Sequence, residues 1–135
     1  MACTETYSTL LIFSEDITPD EINKSLGFFA HDIWVKDPEH KYKHRRERNI
    51  WKWTTQDLCK TTDNIEHLNI ILKKLEGKES VLENLRNKGC ETKITNFWDS
   101  TGQGGPSLTV ELMRRLSVLG LDILWDMYFD DESET

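Results

Sequence analysis

Between Phe97 and Phe129 the chain sets out a complete strand–helix–strand unit. An extended segment ending in Phe97-Trp98 leads into the glycine-rich loop Gly102-Gln103-Gly104-Gly105-Pro106-Ser107, then a helix carrying Leu112, Leu116 and Leu119. After Gly120, the stretch Leu121–Phe129 alternates as a strand with two faces. The first thirty-odd residues repeat the plan in shorter form. Strand Tyr7–Phe13 leads to a helix from Thr18 that stops at Leu26-Gly27, and extended chain resumes at Ile33-Trp34-Val35. Strand–helix–strand connections are nearly always right-handed, and helices that follow strands this closely pack back on the sheet. The expectation is an α+β fold: a ferredoxin-like sandwich of two such units, with helices on one face of a mainly antiparallel sheet.

Local signals divide the rest of the chain. Thr18, Pro19 and Glu21 stand at cap, first-turn and capping-box positions, and Ile22, Leu26 and Phe29 are assigned to the core face. Asp37–Asn49 is charged and carries Pro38 without an apolar period, so it reads as a solvated loop. Ile50–Thr55 alternates as a short strand with Trp51 and Trp53 on one face. Asp63 or Asn64 caps a helix with Ile65, Leu68, Ile71, Leu72 and Leu75 in its stripe. Gly77 interrupts it. A second helix with Val81, Leu82 and Leu85 closes at Gly89, and Glu91–Trp98 follows as a strand. One domain over residues 1–135 is expected, with 130–135 an acidic, disordered tail.

Charge narrows the class of partner. The net charge is −7, yet Lys36–Arg48 holds six Lys/Arg against three Asp/Glu, a local +3 that leaves −10 elsewhere. Phosphate backbones repel such a surface and basic proteins are drawn to it, so nucleic acid is not expected. No apolar run reaches the roughly 18–20 residues that span a bilayer. The start Met1-Ala2-Cys3-Thr4-Glu5 carries no secretory pattern. Cys3, Cys59 and Cys90 are odd in number and unrelated in spacing, which suits reduced thiols in the cytoplasm. No metal, cofactor or membrane is implied.

Catalytic constellations are wanting. Glu15-Asp16 sits in a loop, where adjacent carboxylates serve turns, and no serine or cysteine occupies a nucleophile elbow. His40 and His44 are four apart among Lys41, Lys43, Arg45 and Arg46, without a third ligand, and His31 and His67 stand alone. The loop 102–107 reads first as a strand-to-helix turn. Its sharper reading is a small-anion site using Gly102, Gly104, Gly105 and Ser107, although no P-loop lysine follows. The last strand places Leu121, Ile123, Trp125, Met127 and Phe129 on a core face. Asp122, Leu124, Asp126 and Tyr128 fall on the other, mixing acid for steering with phenol for contact area. Asp122, Asp126 and Tyr128, together with Trp53, form the expected partner surface, and Lys36–Arg48 is a second candidate surface.

Tyr7–Phe13, Thr18-Pro19-Asp20-Glu21-Ile22 and Leu26-Gly27 resemble the opening of a bacterial family known as domain of unknown function 4279. Gly102–Leu108, Leu119-Gly120-Leu121-Asp122 and Tyr128-Phe129 resemble its end, and Trp51-Lys52-Trp53 its central strand. The resemblance covers most of the chain, least from Phe28 to Asn49. It implies no enzymatic role and supplies no catalytic residues. Some small bacterial proteins of this kind look like immunity proteins encoded beside secreted toxins. The expectation is therefore a non-catalytic module, monomeric or a weak homodimer, that binds a cognate toxin domain. The alternative is a small-anion or metabolite-binding regulatory domain using the 102–107 loop.

Overall fold

The computed structural model describes residues 3–130. Its elements are β1 (Cys3–Ser14), α1 (Pro19–Leu26), β2 (Asp32–Trp34), α2 (Lys43–Glu47), β3 (Asn49–Thr54), α3 (Asn64–Lys74), α4 (Glu79–Asn87), β4 (Glu91–Ser100), α5 (Val110–Leu119) and β5 (Asp122–Phe129). Residues 131–135, most of the expected acidic tail, lie outside the described range.

The fold is α+β around a five-stranded sheet ordered β2-β3-β1-β4-β5. β1 runs antiparallel to both β3 and β4, and β2 antiparallel to β3, while β5 runs parallel to β4. The sheet is thus mixed, which corrects the expectation of a mainly antiparallel one. Parallel neighbours need a long crossover, and α5 supplies it between β4 and β5. The two units are not topological copies either, because β3 separates β1 from β2. Their shared Leu-Gly step is a local feature. Gly27 (φ 84°) and Gly120 (φ 71°) each close a helix in the left-handed region, which says how a helix ends and nothing about which strand lies beside it.

α1, α3, α4 and α5 cover one sheet face. Leu10, Ile12 and Trp51 from the strands meet Ile22, Leu26, Leu68, Ile71, Leu72, Leu75, Leu82 and Leu85 in a single core. Each such side chain contributes about 1.5–3 kcal/mol on burial. The helix starts are satisfied as their sequences require. Thr18 Oγ1 accepts from Glu21 N at 3.2 Å, Asp63 Oδ1 from Ile65 N at 3.0 Å, and Thr109 Oγ1 from Leu112 N at 3.1 Å.

Three local assignments are corrected. Phe29 is 79% exposed, and Phe28 instead sets its edge against Trp51 and Trp53. Met127 and Phe129 are 40% and 56% exposed although they share a face with buried Leu121. A ten-residue helix such as α5 spans about 15 Å and an eight-residue strand such as β5 about 26 Å, so the strand outruns its cover. Within the expected loop 37–49, Lys43–Glu47 forms the short helix α2.

Candidate functional site

The sheet face turned away from α1, α3, α4 and α5 is open. Strand alternation and register lay it out in cross-strand rows. Phe13, Ile50 and Trp34 follow one another in one row, Leu11, Lys52 and Asp32 in the next, and Tyr7, Phe97 and Asp126 in another. These residues, with Thr9, Thr54 and Thr95, floor a groove of about 690 Å³ bordered by His31, His44, Arg48 and Asp57.

Its two ends differ in charge. At one end the segment after β2 folds back through a 2.8 Å bond from Asp37 N to Arg45 O, bringing α2 over the sheet edge. Arg45 and Lys52 both rest on the Trp34 ring, at 4.5 Å and 3.6 Å from its centroid. Arg48 and Lys93 rest on Phe13 at 4.6 Å and 5.0 Å. Glu91 pairs with both Arg48 and Lys93. No described carboxylate lies within ion-pair reach of Lys52. Burial holds the Lys52 amine below its ordinary proton affinity, with Asp32 opposing that shift and Arg45 adding to it.

The other end is acidic and aromatic. Tyr7 stacks on Phe97 with centroids 4.9 Å apart, and Tyr128 lies 5.6 Å from Phe97 at a tilt. Burial, then the charges of Glu5 and Asp126, raise the Tyr7 phenol above its usual range. Half-buried Asp99 also holds its proton more tightly than usual. Burial is the main cause, followed by the hydrogen-bonded carboxyl of Asp130 and the charge of Glu5.

Of the four residues assigned to a partner surface, Asp126 and Tyr128 stand at this end, and Asp122 shares their face at the Lys93 end of β5. Asp122, Asp126 and Tyr128 stand opposite Lys93, Phe97 and Asp99 on the open face, and all three are exposed. Trp53 is separated from them, which corrects its assignment. It is only 7% exposed on the opposite sheet face, beside Leu10, with His31 stacked at 4.9 Å. An alternating strand that carries two tryptophans buries both when their shared face is the helix-covered one.

The glycine-rich loop lies elsewhere. Gly102, Gly104, Gly105 and Ser107 are exposed, and only Gly104 of the three glycines takes positive φ (100°). Asn64 grips the Ser107 backbone, donating to its carbonyl at 2.7 Å and accepting from its N–H at 3.1 Å. With Thr109 capping α5, the Ser107 and Leu112 amides at the end of the turn are already engaged. His40 and His44 flank Tyr42, at 5.5 Å and 5.9 Å between ring centroids. Among the described residues, no group of three or more His, Cys, Asp or Glu is arranged to hold a metal ion. No helix among them is long and apolar enough to cross a membrane. Burial raises the thiols of Cys3 and Cys90 above their ordinary range, which keeps them protonated.

Sequence reasoning missed two constellations. One is the cation pair on Trp34. Lys52 was visible on the far side of the Trp51/Trp53 strand, but its pairing with β2 and the return of α2 are long-range events. The other is buried. Thr55 Oγ1 lies 2.6 Å from His67 Nδ1, and both residues are fully enclosed. The further bonds of this pair go to Ser8 N, the Ser8 carbonyl and Thr61 O, so it secures the scaffold. No local pattern links Thr55 to His67.

The chain matches the family described as domain of unknown function (DUF4279) over residues 4–130. No curated protein and no solved structure matches it.

Proposed function

The chain belongs to the DUF4279 family, and on that premise we propose that it is a non-catalytic protein-binding module: an immunity protein that neutralises a cognate bacterial toxin domain in the cytoplasm by direct contact. The observation that carries this reading is the alignment of Asp122, Asp126 and Tyr128 on the open sheet face, with Asp126 and Tyr128 beside the Tyr7–Phe97 stack. Exposed carboxylates steer a basic partner, and a cluster of rings supplies contact area at low entropy cost. We read the scaffold as a ferredoxin-like core, β4-β1-β3-β2, with β5 added at its edge. The added strand is the one that carries the acids.

The test is co-expression with the C-terminal domain of the protein encoded immediately upstream. A one-to-one complex that survives high salt and rescues growth supports the reading. Reversing Asp122 and Asp126 together to Lys is then expected to slow association roughly tenfold or more at low salt, while thermal unfolding of the free protein stays near that of the parent. Unchanged association kinetics would remove the acidic strand as the interface. The absence of a complex would remove the immunity reading itself.

A further inference from the structure

The basic end of the groove carries a separate inference. We propose that Lys52 and Arg45, gathered on Trp34, form a subsite for an oxyanion, a carboxylate or a phosphate, at the β2 side of the open face. Three independent observations converge on it. Two cations share one ring, with the Lys52 ammonium at 3.6 Å and the Arg45 guanidinium at 4.5 Å from its centroid. Nη1 of Arg45 is buried without a hydrogen-bond partner, although buried N–H groups are nearly always paired. Lys52 projects into the groove half-buried and has no described carboxylate within ion-pair reach.

Neighbouring groups neutralise this position only in part. Arg48 and Lys93 share Glu91 at the adjacent Phe13. Asp32, the nearest acid by register, acts on Lys52 through its charge but forms no ion pair with it. Asp57 on the groove border pairs with Lys60. The Arg45 charge adds to the lowering of the Lys52 proton affinity, so the two cations repel one another in the free protein. One oxyanion relieves that repulsion and compensates Lys52 for its lost hydration. Trp34 forms the wall that keeps both heads in place. The subsite stands independently of the toxin reading, since the oxyanion comes either from a free small anion or from an acidic side chain of a bound protein.

The experiment titrates the full chain with inorganic phosphate and, separately, with a tri-glutamate peptide, following the Trp34 indole resonance and the melting temperature. Both readouts are expected to saturate in at least one of the two titrations. Lys52→Met keeps the aliphatic stem and removes the charge. It is expected to fold and to weaken the response roughly tenfold or more, because the charge-assisted contact to the oxyanion is lost. Lys24→Met, on the helix-covered side, serves as the control and is expected to respond like the parent. If Lys52→Met fails to fold, Arg45→Gln replaces it with the same expectation. Tighter response to peptide than to phosphate assigns the oxyanion to a protein side chain, and the reverse order assigns it to a free anion. No saturating response to either probe, or an equal response in Lys52→Met or its substitute, overturns the subsite.

Discussion

Thr55 Oγ1 accepts a hydrogen bond from Ser8 N at 3.0 Å and lies 2.6 Å from His67 Nδ1. The other ring nitrogen of His67 faces the Thr61 carbonyl at 2.8 Å, so Nε2 must carry the proton and Nδ1 must accept from the threonine hydroxyl. One hydroxyl therefore satisfies both a strand amide and a fully buried imidazole. Replacing it with a group of the same shape removes both partners at once. Thr55→Val is expected to destabilise the fold by about 1–3 kcal/mol, read as a lower urea midpoint at unchanged slope. Thr55→Ser is expected to recover most of the loss. An unchanged midpoint in Thr55→Val would mean that the His67 network contributes nothing to folding.

The joint between α4, α5 and β5 turns on one glycine. Gly120 stands at φ 71°, and a Cβ there would lie 2.5 Å from the Arg86 guanidinium carbon. That guanidinium reaches from α4 to the Leu119 carbonyl at 2.8 Å and to Thr92 Oγ1 at 3.3 Å. Gly120→Ala adds left-handed strain of roughly 1–2 kcal/mol and also displaces Arg86 from its acceptors. Gly104, at φ 100° with open space around it, supplies the strain without the displacement. Gly120→Ala is expected to melt lower than Gly104→Ala, and equal melting temperatures would show that the Arg86 tie carries no weight. Legibility in the sequence follows the same division. The Leu-Gly helix ends, the Thr18 capping box and the leucine stripe of α3 were readable because each depends on a few consecutive residues. Strand order, the choice of Phe28 over Phe29, the exposure of Met127 and the burial of Trp53 depend on what packs opposite, which local spacing does not encode. The acid row of β5 was readable for a related reason, since alternation alone assigns Asp122, Asp126 and Tyr128 to one face. The Trp34 cations needed β2, α2 and β3 brought together.

Across the whole molecule, one end of the open face mixes cations with acids, Lys52, Arg45, Arg48 and Lys93 among Asp32, Glu91 and Asp122. The other gathers Asp126, Asp99, Asp130 and Glu5 without a described cation in ion-pair reach. The acidic end is strained in the free protein. Asp99 binds its proton more tightly in the folded state than in the unfolded one, through burial first and then Asp130 and Glu5. Between the ordinary carboxylate value, about 3.9, and the raised one, the folded state holds more protons than the unfolded chain. This contribution is fully present below that window and is lost as pH rises through it. At neutral pH the ionised Asp99 therefore weakens the fold. Asp99→Asn is expected to raise the melting temperature relative to the parent at pH 7, and the gain is expected to shrink toward pH 4. A gain of equal size at both values would assign it to packing instead of charge. The same repulsion favours a basic partner, whose cations would neutralise the carboxylates that the free protein holds together. Asp99→Asn is accordingly expected to trade affinity for stability: a slower association with the proposed basic partner and a higher melting temperature alone. A variant that gains stability and binds as fast as the parent would detach the acidic end from partner capture, leaving Asp122 and Asp126 to steer without it.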